Sequence, residues 1–135
     1  VGTGKTFLSN CIAKELMDRC HSVVYLTAFQ LFDLLSRAAF GSGRSKEQNQ
    51  QGYPYIFDCD LLIIDDLGTE YTNNVVASAL FSLLNERHLY QKSTIISTNL
   101  SLEDLRNRYS DRILSRITTQ YILCKFSGPD IRTLK

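Results

Sequence analysis

The chain has 135 residues, 44% of them hydrophobic and 21% charged, with a formal net charge of +1. This composition fits one globular domain and excludes a disordered segment, a collagen-like repeat and a protein uniformly basic enough to bind nucleic acid by charge alone. No apolar run approaches the length of a membrane span, so a cytoplasmic protein without a membrane partner is the expectation.

The first eight residues read V-G-T-G-K-T-F-L. A phosphate-binding loop has the form G-x-x-x-x-G-K-[ST], and its leading glycine would fall upstream of Val1. In such a loop Gly2 and Gly4 let successive backbone N–H groups turn inward on phosphate oxygens. Lys5 supplies a point charge, and the hydroxyl of Thr6 can ligate magnesium. A plain glycine-rich turn before a helix is the alternative, and the rest of the chain must decide between them.

From Thr6 to about Cys20, Leu8, Cys11, Ile12 and Leu16 recur at helical spacing. Ser22 to Thr27, rich in β-branched and aromatic residues, reads as a strand, and a helix follows from Ala28 to Phe40 with Leu31, Leu34, Leu35 and Ala38 inward. The polar stretch from Gly41 to Gly52 reads as a loop. Asp60 to Asp65, D-L-L-I-I-D, has the continuous apolar run of a strand buried on both faces in a parallel sheet. A helix from about Asn73 to Tyr90 carries Val76, Leu80, Leu83 and Leu84 on one face; Arg87 reads as an exposed helix arginine, with a role at a subunit boundary as the alternative. Ser93 to Thr98 is a further strand. Ser101 and Asp104 have capping-box spacing, a helical segment surrounds Ile113, and Gln120 to Phe126 reads as the last strand. Strands alternating with helices imply a single α/β layer structure with right-handed crossovers.

Ligands in such folds bind at the carboxyl ends of the strands. Asp65 and Asp66 stand at one such end, where one carboxylate can hold a magnesium shell and the other can polarise an attacking water. Asn99 stands at the next, where its amide can orient water against a terminal phosphate. Arg37, Arg44 and Lys46 flank the polar loop, and Arg106, Arg108, Arg112 and Arg116 crowd around Tyr109. Either cluster suits a solvated face, and the second suits single-stranded DNA as well. Cys11, Cys20, Cys59 and Cys124 are scattered, as expected of buried reduced thiols rather than a metal site.

Taken in order, G-T-G-K-T-F-L, L-L-I-I-D-D-L-G-T-E, I-I-S-T-N-L, D-R-I-L-S-R-I and F-S-G-P-D-I-R resemble the AAA+ ATPases of the DnaC/DnaI helicase-loader group, whose relatives include the IstB transposition ATPases. The resemblance spans nearly the whole chain. It implies a P-loop NTPase fold of three αβα layers, with ATP and magnesium as cofactors. Gly2, Thr3, Gly4, Lys5, Thr6 and Phe7 would then meet the nucleotide. Thr6 and Asp65 would meet the metal, Asp66 would be the second Walker B acid, and Asn99 sensor 1. Arg116 matches the arginine finger that completes a neighbouring subunit's site, with Arg112 the second choice, and Arg132 matches the sensor 2 arginine. A replicative helicase, single-stranded DNA and self-assembly are the implied partners. Where many AAA+ proteins have Asp-Glu, this chain has Asp65-Asp66; its D-D-L-G-T-E is closer to helicase loaders than to IstB proteins. A transposition helper is the alternative, and a P-loop small-molecule kinase or a non-hydrolysing nucleotide-dependent scaffold stands further off. Residues 1–135 are expected to be an AAA+ core fragment. The strand that leads into the phosphate loop would be missing from between Ser93–Thr98 and Gln120–Phe126.

Overall fold

The computed structural model describes residues 2–40, 54–70 and 73–133. Helix α1 (Lys5–Asp18) leads to strand β1 (Val23–Thr27) and helix α2 (Ala28–Phe40). A short helix α3 (Pro54–Asp58) precedes β2 (Leu61–Leu67), followed by α4 (Asn74–Leu89), β3 (Ser93–Thr98), α5 (Leu102–Tyr109) and α6 (Asp111–Gln120). A 3₁₀ turn at Ile131–Thr133 comes last. Among the described residues no helix is long and apolar enough to cross a membrane.

The three strands form one parallel sheet in the order β1-β2-β3, with Tyr25 and Ile95 both level with Ile63. Side chains alternate across β2, as pleating requires. Leu61 and Ile63 face α1, packing against Ala13, Ile12 and Leu16. Leu62 and Ile64 face the larger core built from α2, α4, α5 and α6. With helices on both faces, β2 buries all of Leu61, Leu62, Ile63 and Ile64, which is why its sequence is a continuous apolar run. This is the three-layer α/β architecture the sequence implied.

Local signals account for most boundaries. Asn73 caps α4 by accepting from the Val76 N–H at 2.9 Å. Ser101 and Asp104 form the expected capping box at the start of α5. Val76, Leu80, Leu83 and Leu84 are all buried.

Four expectations are corrected. Gln120 to Phe126 is not a strand: Gln120 ends α6 and the following residues pair with no strand among the described residues, leaving Ile122 92% exposed. Extended apolar sequence makes a strand only where a neighbouring strand offers a ladder of hydrogen bonds, and among the described residues β3 pairs with β2 alone. On α1, the buried positions are the small Ser9 and Ala13, with Leu8 and Cys11 exposed, because small side chains admit the close approach of β2. Cys11, Cys20 and Cys124 are exposed and only Cys59 is buried. Arg87, on α4, is 1% exposed. The polar loop with Arg44 and Lys46 lies outside the described residues.

Candidate nucleotide-binding site

At the carboxyl end of the sheet, the first turn of α1 meets the tips of β2 and β3. Gly4 caps α1 with φ +93°, a left-handed conformation that an L side chain reaches only with strain, so the chain can turn from loop to helix within one residue. Lys5 then projects toward β3, its Nζ donating to Asn99 Oδ1 at 2.9 Å and lying 3.4 Å from Thr3 Oγ1. Thr6 projects toward β2, its hydroxyl 3.1 and 3.3 Å from the two oxygens of Asp65.

Asp65 follows Leu61 and Ile63 on the α1 face of β2. Burial pushes its carboxyl up, but hydrogen bonds donated by the hydroxyls of Ser97, Tyr25 and Thr6 outweigh that, and the net shift is downward. Asp65 therefore stays an anion within a mostly buried setting. The next residue would ordinarily point to the opposite face. Instead the ladder slips between Ile64 and Leu67, and Asp66 takes φ +62°. This bulge turns the Asp66 carboxylate outward into solvent, where Asn99 Nδ2 stands 3.4 Å away. Ser97 anchors the bulge, accepting from the Asp66 N–H at 3.0 Å while its own hydroxyl donates to Asp65. Lys5, Thr6, Asp65, Asp66 and Asn99, far apart in sequence, thus form one connected cluster.

The other expected residues stand apart from it. Phe7, on the exposed side of the first turn, is 71% exposed. The guanidinium groups of Arg112 and Arg116, one turn apart on α6, lie over the Phe81 ring at 4.7 and 5.6 Å from its centroid. The segment carrying Arg132 closes on the turn before α1, with the Ile131 N–H donating to the Gly2 carbonyl at 2.8 Å. A Cβ on Gly2 would sit 1.9 Å from the Asp130 carboxylate, so a larger residue there would have to push that side chain aside. Arg132 itself is held by that carboxylate through contacts of 3.0 and 2.7 Å, and its hydrogen bonds bring Asp130 down to about 2.

Two residues had no role assigned from sequence or had the wrong one. Glu70 is 2% exposed; it accepts from the Gly68 N–H at 2.8 Å and from the Tyr109 hydroxyl, with Arg108 Nε 3.8 Å away. It ties the loop leaving β2 to the end of α5. Tyr109 is consequently buried and stacked near Phe32, and offers no ring to a nucleic-acid base. Arg106 pairs with Asp111, and Arg37 with Asp33. Arg87 donates to the carbonyls of Ile56, Phe57 and Ser93 and to the Thr94 hydroxyl, at 2.6 to 3.1 Å, joining α3, α4 and β3. Glu70 carried a sequence signal, an acid closing the D-D-L-G-T-E run; Arg87, on the apolar face of α4 one turn after Leu83 and Leu84, carried another.

Comparison with known proteins bears on the family and the fold of the chain. Residues 1–126 match the family described as IstB-like ATP binding protein. The replicative helicase loader DnaC of Escherichia coli K12 is 26% identical over 116 residues, 86% of this chain and 46% of that protein. The insertion sequence IS21 putative ATP-binding protein of Pseudomonas aeruginosa is 30% identical over 115 residues, 84% of this chain and 41% of that protein. The chain therefore spans less than half the length of these relatives. Among solved structures, the replication initiator DnaA bound to AMPPCP and single-stranded DNA superposes with a TM-score of 0.76 at 24% identity, over 91% of this chain and 37% of that one, a likeness of fold. The three-layer α/β fold and the match over nearly the whole sequence make the chain a member of the IstB-like ATP-binding protein family.

Proposed function

We propose that this chain binds ATP with magnesium, hydrolyses it in an assembly of several copies, and works as a loader of a replicative helicase. The observation that carries the ATPase reading is the cluster of Lys5, Thr6, Asp65, Asp66 and Asn99 at the carboxyl end of the sheet. Hydroxyl and carboxylate oxygens are the donors magnesium prefers, and Thr6 and Asp65 would hold it together with phosphate oxygens. Magnesium, when bound, supplies charge to the phosphates. Lys5 and the loop N–H groups bind the same phosphates, and Asp66, turned outward by the bulge, is free to orient and polarise water with Asn99. Phe7 and Arg132 flank the nucleotide.

Arg116, with Arg112 as the alternative, would act on a neighbouring copy. Both are exposed on α6, and neither touches the cluster of its own chain, as a residue working in trans requires. The likeness to DnaC supports the helicase as client. The 30% identity to the IS21 protein favours a second reading, an assistant to a transposase with the same chemistry. The purified intact protein, assayed for ATP hydrolysis alone, with single-stranded DNA, with the replicative helicase and with a transposase, tests both. Stimulation by helicase supports the first, and stimulation by transposase alone replaces it with the second. Absence of ATP hydrolysis in every arm rejects both.

A further inference from the structure

Tyr25 lies on β1, level with Ile63 of β2, while Thr27 is level with Asp65. It is therefore two residues short of the Asp65 carboxylate on the same face of the sheet, a gap that a phenol can span and an aliphatic side chain cannot. Its ring packs with Leu61, Ile63 and Ala13 beneath α1. The hydroxyl does something packing does not need: it donates to Asp65 Oδ2, the oxygen that also lies 3.1 Å from Thr6 Oγ1. Oδ1 takes the Ser97 hydroxyl. Hydroxyls from α1, β1 and β3 thus surround one carboxylate. A tyrosine phenol carries its proton at neutral pH, so toward an acceptor-only carboxylate it acts as the donor.

We propose that Tyr25 is a positioning residue for the magnesium–nucleotide site, its hydroxyl fixing the Asp65 carboxylate toward Thr6 so that the cation meets an oxygen already in place. The proposal rests on the assignment of Thr6 and Asp65 to magnesium made above. Partners that orient a metal ligand typically contribute about 10- to 100-fold to metal affinity, because an unheld carboxylate must be ordered as the metal binds.

The test is Tyr25→Phe in the intact protein, which keeps the ring and removes one oxygen. ATP affinity is measured in EDTA and across a magnesium titration, beside the parent and Asp65→Asn, with thermal melts of each. Tyr25→Phe should match the parent in EDTA and need roughly tenfold more magnesium for half-saturation, a shift typical of losing a partner that orients a ligand. Asp65→Asn should show the larger shift. If the magnesium curves of Tyr25→Phe and parent coincide, the role of Tyr25 is overturned while the nucleotide site stands. If Tyr25→Phe weakens binding equally with and without magnesium, its hydroxyl serves the fold, and the proposal is again overturned. A parent that binds ATP equally well in EDTA and in magnesium removes the metal assignment and this proposal together.

Discussion

The ammonium of Lys5 lies 2.9 Å from the amide oxygen of Asn99, so the start of α1 and the tip of β3 touch through the two side chains best suited to a terminal phosphate. Lys5→Ala should weaken ATP binding by roughly 10- to 100-fold, the loss of one charge-assisted contact. Titration calorimetry measures this, and unchanged affinity would reject the phosphate-loop assignment.

Asp66 is exposed at the bulge and makes no hydrogen bond to Lys5 or Thr6, so Asp66→Asn should leave ATP affinity near the parent value. Turnover should fall about 100-fold or more, the usual loss when a general base is removed. Steady-state hydrolysis at the parent rate would assign Asp66 another task.

Arg116→Ala should bind ATP normally as a single subunit and lose about 10³-fold or more in turnover within the assembly. Mixing it with a Lys5→Ala subunit, which retains the arginine, should restore hydrolysis at the Arg116→Ala subunit's own site. No recovery on mixing would transfer the assignment to Arg112, to be tested in the same way.

Removing Arg87 leaves the Ile56, Phe57 and Ser93 carbonyls without their guanidinium donor in a buried setting. Arg87→Met, close in length but unable to donate, should cost about 3 kcal/mol of stability in urea unfolding. Arg87→Lys should recover little of this, since an ammonium lacks the planar fork that reaches three elements at once. A change within about 0.5 kcal/mol, the range of ordinary surface substitutions, would contradict the structural role.

Tyr109 is buried and donates to Glu70, and burial followed by the Glu70 hydrogen bond pushes its phenol well above the ordinary tyrosine value. Burial also raises Tyr121. A raised folded value means the fold holds these protons more tightly than the unfolded chain does. Their contribution is therefore intact below the unfolded tyrosine value of about 10 and is lost as pH rises through the folded values. Tyrosinate absorbance during alkaline titration should show these two, and Tyr25 with them, ionising late, and Tyr109→Phe should remove one late chromophore. Ionisation of all tyrosines together in a folded protein would disprove the coupling.

Sequence reading succeeded where one residue's neighbours along the chain decide its place. The apolar run Leu61–Ile64, the Ser101 cap and the glycine-bracketed Lys5-Thr6 carry their meaning locally, and all lie where expected. It failed where the partner is distant. Gln120 to Phe126 has strand composition but no pairing strand among the described residues, and a strand is a property of two segments. Arg87 reads as a surface charge because its acceptors are carbonyls of α3 and β3, groups every sequence possesses and none advertises. The five-residue α3 is too short for periodicity to reveal. At the candidate site the acids were legible from the strand end. The bulge that separates Asp65 from Asp66, and the hydroxyls of Tyr25 and Ser97 around the first of them, required the register of the sheet.

The positive φ of Asp66 also decides which amino acids that position can accept. Asp and Asn enter the left-handed region more readily than other chiral residues because their short side chains can bond to nearby backbone, while glycine meets no barrier. A glutamate there, usual in many AAA+ proteins, would add reach but must adopt a conformation about 1–2 kcal/mol less favourable, or else remake the bulge. The shorter acid is thus matched to the backbone that carries it. Lengthening it alone would act on the shape of the strand end before it acted on the water, so Asp66→Glu is a backbone substitution as much as a chemical one.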